Sequence, residues 1–154
     1  MHIVSICNKL DLLDAFVAHY RYHCICVVES WLSDNIPDAL VSPTGCNIYR
    51  RDLSSHGGGG FILLSSMLQA SVTHLHSNSP KTQVLALDLH VKPTHVRVLL
   101  VYHPLCDAVD EVHSDNLLQS IFEATQVSYP VLVLCDFNKS SLDWSTFQGA
   151  NSHD

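Results

Sequence analysis

The chain has 154 residues, 47% hydrophobic and 15% charged, a composition that fits one globular domain with a sizeable core and argues against disorder. No apolar run approaches the roughly 20 residues that cross a bilayer, and no basic stretch followed by an apolar segment opens the chain, so a soluble intracellular protein with no membrane partner is expected. The net charge is −7 with only 8 Lys and Arg, which argues against strong nucleic-acid binding through a basic face.

In chain order, residues 8–20 place Leu10, Leu13, Phe16, Val17 and Tyr20 at helical spacing, which predicts an amphipathic helix. Residues 24–30 (CICVVES) form a short apolar, β-branched run, read as a buried strand ending at Glu29. Pro37 and Pro43 break the next segment into loop, and residues 46–52 read as a strand leading to a turn. The Gly57 to Gly60 run then feeds a strand over 61–66; no Gly-Lys-Ser/Thr follows it, so it reads as a hairpin connection and not a phosphate loop. Strands are expected at 83–91 and 95–103, with Pro93 in the turn between them. Residues 113–126 predict a second helix with Ser114 or Asp115 as N-cap, and 130–138 a buried strand running into polar residues. No repeat or linker divides the chain, so residues 1–154 read as a single α/β domain with helices covering a sheet.

Among the six cysteines (Cys7, Cys24, Cys26, Cys46, Cys106, Cys135) no CxxC pair occurs, and Cys24, Cys26 and Cys135 sit inside apolar runs, as buried thiols acting as small hydrophobes do. The pair His74 and His76 lacks the third and fourth ligands of a zinc site, and the eleven histidines read as a scattered surface set.

Polar groups gather at strand ends: Glu29 at one, Tyr102 and His103 at another, Asp136 and Asn138 at a third. Layered α/β enzymes collect functional groups at such ends, where a rigid scaffold meets an open rim. A carboxylate there suits magnesium, which prefers oxygen ligands and keeps several waters. Each residue alone also has a plainer reading. Glu29 fits a solvated strand end, Asp136 and Asn138 fit a turn, and Tyr102 fits a core-edge aromatic with a wet hydroxyl.

Taken together, these segments resemble a family. ICVVESWL (25–32) resembles the TETWL-type segment of endonuclease/exonuclease/phosphatase domains from LINE-like, non-LTR retrotransposons, and NKLDLLDAF (8–16) the helix before it. NIYRRDLSSHGGGGFILL (47–64) is similar to the family's YRRDR…GGGV stretch, VYHPL (101–105) to its YRPP strand end, and VLCDFNKSSLDW (133–144) to its GDFN…DW signature. The likeness spans about residues 5–147 in the family's order.

The resemblance implies an incomplete DNase I-like fold, a layered β-sandwich flanked by helices. It implies a magnesium-dependent DNA endonuclease, with Mn2+ as an alternative ion and a reverse transcriptase in the same or a neighbouring chain. Glu29 would ligate the metal, Asp136 would orient or deprotonate the attacking water, Asn138 would hold the scissile phosphate, and Tyr102 would contact it. Three departures stand against this pattern. His2 falls near the family's first metal-site asparagine; Cys135 and His103 replace a glycine and an arginine. The late aspartate and SDH histidine have no counterpart, since Ser152, His153 and Asp154 run in another order and too close to Trp144. Impaired cleavage, unpaired sheet edges and exposed apolar surface are the expected consequences. A non-catalytic remnant or partner-binding fragment is the alternative function, and a phosphoinositide, nucleotide or RNA the alternative substrate.

Overall fold

Two apolar sets alternate along the central strands, and each set meets a different layer. The computed structural model describes residues 5–52, 57–75, 83–103, 111–136, 142–143 and 148–149. Helix α1 (Leu10–Tyr20) ends where Arg21 turns left-handed and its N–H bonds the Val17 carbonyl at 2.9 Å. Strands β1 (Cys24–Val28), β2 (Cys46–Arg51) and β3 (Gly60–Ser65) form one antiparallel sheet in the order β1-β3-β2. Strands β4 (Ala70–Thr73), β5 (Gln83–Val91), β6 (Thr94–Tyr102) and β7 (Val131–Asp136) form the other, in that order, with only the β6/β7 pair parallel. Helix α3 (Glu111–Thr125) makes the crossover before β7, as a parallel pair requires. A small antiparallel pair, β8 (Leu142–Asp143) and β9 (Gln148–Gly149), completes the described elements.

The side-chain period of 2 explains the layering. Val28, Ile62 and Leu64 from the first sheet meet Leu85, Leu87, Leu89, Val98, Leu100 and Tyr102 from the second, and make the sandwich core. The intervening Ile25, Val27, Phe61 and Leu63 face Leu13 of α1 and Val41. Likewise Val84, Ala86, Leu99 and Val101 face Leu117 and Ala124 of α3. Strands apolar on both faces are what a helix–sheet–sheet–helix stack demands. The expected layered β-sandwich flanked by helices is therefore observed.

Several local expectations are corrected. Strand β1 closes at Val28, so Glu29 is the first residue beyond it. The segment between Pro37 and Pro43 is not all loop: the single turn α2 (Asp38–Val41) starts after Pro37 and delivers Val41 to the core. Helix α3 begins at Glu111, so Ser114 and Asp115 lie inside it and not at its N-cap. Strand β4, short and largely exposed, had not been anticipated.

Cys135 is exposed, as is Cys7, while Cys24, Cys26 and Cys46 are half-buried. Cys135 fails the burial expectation because β7 is an edge strand among the described residues, with a partner only on its β6 side. Leu132, Val133 and Leu134 are exposed along it, with Leu118 and Phe122 exposed on α3. His74 is exposed; Cys106, His76, Asn138 and His153 lie outside the described residues.

Candidate active site

The end of the sandwich at which β1, β6 and β7 all terminate carries the polar residues singled out from sequence. Glu29 follows β1 directly and adopts a left-handed backbone with φ 58°, and Trp31 does the same with φ 56°. Non-glycine residues enter this region at a cost of roughly 1–2 kcal/mol and are held there only by surrounding structure. Here the hold is visible on both sides of the turn. Ser30 and Trp31 donate their N–H groups to the carbonyls of Gly59 (3.2 Å) and Gly58 (2.9 Å). Ser5 and Ile6 in turn donate to the carbonyls of Glu29 (3.1 Å) and Ser30 (2.9 Å). Gly58 and Gly59 have φ of 78° and 77°, so the glycine run is the backbone brace of the Glu29 turn. Ser30 is fully buried within it, and among the described residues its hydroxyl has no hydrogen-bond partner.

Among the described residues, two donors grip the Glu29 carboxylate. The Tyr102 hydroxyl donates to Oε1 across the sandwich, from a residue 73 positions away in sequence. The Trp31 indole Nε1 donates to Oε2 at 2.7 Å. Tyr102 is almost wholly buried, and its hydroxyl meets this carboxylate, unlike the wet edge group of the plainer reading. Asp136 closes β7 in register with Tyr102, and in-register neighbours share a face of the sheet. The Asp136 carbonyl accepts the His103 N–H at 3.0 Å, extending the β6/β7 ladder one residue past the strands. Glu29, Tyr102 and Asp136 are thus brought to one end of the fold.

Two arginines flank this end with different roles. Arg50 donates to the carbonyls of Ser33 (2.6 Å) and Ile36 (2.7 Å) and to Asp38 (3.0 Å) and Asp52 (2.9 Å), which pins the loop after the Glu29 turn. Burial pulls its guanidinium down, but the bonds to Asp52 and Asp38 outweigh this and hold it above the ordinary value. Arg51 points to the opposite face of β2. Burial alone shifts its guanidinium below the ordinary value, and among the described residues no carboxylate pairs with it.

Trp31 and Arg51 had not been assigned roles from sequence. Trp31 lies two residues beyond Glu29 in the ESWL segment, and only the reversed backbone turns its ring back onto that carboxylate. At Gly57 an added Cβ would lie 3.6 Å from the Trp31 ring, an ordinary contact distance, so the indole packs beside the glycine run.

Glu29 suits a hard cation. Each carboxylate oxygen offers about two lone-pair sites, and among the described residues each has one protein donor on it, which leaves acceptor capacity on both. Among the described residues no three His, Cys, Asp or Glu side chains gather closely enough to form a metal cage. An oxygen-donor site with a single carboxylate is nevertheless the usual protein share in magnesium binding, the ion keeping several waters.

No protein-family model matches the chain, and no curated protein matches it. Solved structures do. The human Nocturnin catalytic domain with bound sulfate aligns at 15% identity and TM-score 0.61, over 85% of this chain and 56% of that one. An AP endonuclease from Archaeoglobus fulgidus aligns at 14% and 0.63, over 91% of this chain and 56% of that one. The 3′ phosphatase NExo from Neisseria, bound to product DNA hairpin, aligns at 18% and 0.67, over 92% of this chain and 57% of that one. This chain therefore spans a little over half the length of each structure. At such identities the likeness is one of fold, and the fold is the DNase I-like α/β sandwich that these nucleases and phosphatases share.

Proposed function

We propose that the chain is a magnesium-dependent phosphodiester hydrolase domain acting on DNA, of the retrotransposon endonuclease type. The observation that carries this reading is the Tyr102 hydroxyl on the Glu29 carboxylate, at the strand ends where Asp136 stands in register with Tyr102. The ordered likeness of residues 25–32, 47–64, 101–105 and 133–144 to that nuclease family supports it. So does the shared fold with an AP endonuclease and with a 3′ phosphatase bound to product DNA.

In this reading Glu29 holds the cation, Mg2+ with Mn2+ as substitute, and Tyr102 and Trp31 orient its carboxylate. When bound, the cation neutralises charge that develops on the phosphate and its leaving oxygen. Asp136 orients or deprotonates the attacking water, and Asn138 holds the scissile phosphate. Tyr102, besides holding Glu29, contacts the phosphate or helps settle charge as the bond breaks. A neighbouring or covalently linked reverse transcriptase belongs to the same reading.

The test is magnesium-dependent nicking of supercoiled plasmid, run beside Asp136→Ala and beside chelator. Nicking that falls by about 10²-fold or more in the variant, the usual worth of a positioned base, supports the assignment. Nicking indifferent to Asp136 and to chelator would overturn it. A second reading, a non-catalytic partner-binding chain of the same fold, is favoured by the exposed apolar side chains of β7 and by the net charge of −7. A folded chain that nicks nothing selects this second reading.

A further inference from the structure

We propose that Arg51 is an anion subsite that receives a phosphate of the substrate's diester backbone next to the scissile one. The inference rests on the site assigned above to Glu29, Tyr102 and Asp136, and adds a residue with no role in it so far.

The position follows from register. Along β2, Ile48 packs toward α1 and Tyr49 toward the sandwich. Alternation therefore sends Arg50 to the α1 side, where its bonds to Ser33 and Ile36 are found, and Arg51 to the sandwich side. Arg51 pairs with Gly60, which pairs with Val28 on its other side, so the three residues form the last rung of the first sheet before Glu29. An added Cβ on Gly60 would stand 3.1 Å from Leu100 Cδ2, which fixes the direction of this rung toward β6. Tyr102 lies two residues beyond Leu100 on the same face of β6. Arg51 thus leaves the sheet at the end where Tyr102 meets Glu29, and on the same face.

The chemistry then selects the ligand. Arg50 and Arg97 each carry a carboxylate partner, at 2.9 Å and 2.6 Å. Arg51 is half-buried and, among the described residues, has none. A partly desolvated cation without a partner is unfavourable for folding, and such groups mark places where a ligand completes the pairing. A guanidinium presents a planar fork of donors that fits two oxygens of one phosphate. Nor does the chain have a broad basic surface for a long polyanion, with 8 Lys and Arg against 15 Asp and Glu. Phosphate recognition is therefore concentrated at one point, and the group matched there is a single phosphate of the backbone.

The probe is the dinucleotide TpT, which carries one diester phosphate, titrated calorimetrically into the whole chain in chelator, so that neither metal nor turnover enters. Wild type binds TpT, and Arg51→Gln binds at least about tenfold more weakly, as expected for loss of a charged hydrogen bond. Arg51→Lys keeps charge without the fork and falls between them; it also serves as the test variant should the Gln variant not fold. The wild-type affinity declines with salt at a log–log slope of about −0.7, that of one single-strand phosphate contact, and the slope vanishes in Arg51→Gln. Equal affinity of wild type and both folded variants for TpT, or no binding by wild type, overturns the proposal. Because no magnesium is present, a chain that fails to nick plasmid but binds TpT through Arg51 separates the failure of the catalytic reading from that of this one.

Discussion

The end of the sandwich away from the Glu29 turn offers the sharpest stability test. Arg97, almost wholly buried at the start of the β6/β7 ladder, donates Nε to Asp88 Oδ1 at 2.7 Å and Nη2 to Asp88 Oδ2 at 2.6 Å. Its remaining donors reach the Ala124 carbonyl (2.9 Å), the Tyr129 hydroxyl (3.0 Å) and Thr73 Oγ1 (3.2 Å), while the Thr73 hydroxyl donates to Asp88 at 2.9 Å. One guanidinium therefore ties together β4, β5, β6, the end of α3 and the approach to β7. Asp88→Ala leaves that cation buried without its counter-charge, a change worth about 3–5 kcal/mol. Domains of this kind hold roughly 5–15 kcal/mol in total. With a urea slope of about 2 kcal/mol/M, the midpoint moves down by roughly 2 M.

The same variant has a pH signature. The bonds from Arg97 hold the Asp88 carboxyl below its ordinary value, against an opposing push from burial, with Thr73 helping. A depressed carboxylate contributes stability above its unfolded value, near pH 3.9, and loses it as pH falls through the folded value beneath. The gap between wild type and Asp88→Ala is thus full at neutral pH and closes in acid. Replacing both partners together by leucine recovers much of the loss, because no orphan charge remains. Urea melts at pH 7 and pH 3 read both effects. A gap below about 1 kcal/mol at neutral pH, or one unchanged in acid, refutes the buried-pair account and makes the network a screened surface one.

Two further outcomes concern the site itself. Gly60→Ala places a Cβ 2.8 Å from the Val27 carbonyl oxygen and 3.1 Å from Leu100 Cδ2, and the backbone contact cannot swing away. A loss of about 1–3 kcal/mol is expected in thermal or urea unfolding, and a neutral substitution would show that β1 and β3 tolerate separation there. Tyr102→Phe removes the donor to Glu29 Oε1 while keeping the ring in the core. Losing a support of this kind lowers metal affinity about 10–100-fold, read as a rightward shift in the Mg2+ dependence of nicking; an unshifted dependence would assign the hydroxyl to another task.

The fold was legible where period and burial agree. The both-faces-apolar runs at β1, β3, β5 and β6 announced buried strands, and the spacing of Leu10, Leu13 and Val17 announced α1. What stayed hidden was set by long-range partners. The apolar run of β7 predicts burial on both faces, yet burial depends on what lies beside the strand, and Leu132, Val133 and Leu134 are exposed. Strand β4 carries little apolar signal because it is stitched to β5 by ladder bonds and by Thr73 on Asp88.

At the site, the acidic strand ends point to Glu29 and Asp136, and the fold brings both to one end. The surroundings of Trp31 and Arg51 were not legible. The indole reaches Glu29 only through two left-handed residues, and a run of Arg50 and Arg51 does not say which cation will find a carboxylate. Alternation on β2 separates the two, and that separation needs the register.

The hydroxyl-to-carboxylate link between Tyr102 and Glu29 also fixes when the site exists during folding. Its two halves come from different sheets and are separated by 73 residues of chain, so no local hairpin can form it in isolation. Closing so long a loop is slow and is rewarded only once the two sheets dock. Refolding followed by backbone circular dichroism should therefore run ahead of refolding followed by ligand binding, with the function returning at the step that joins the sheets.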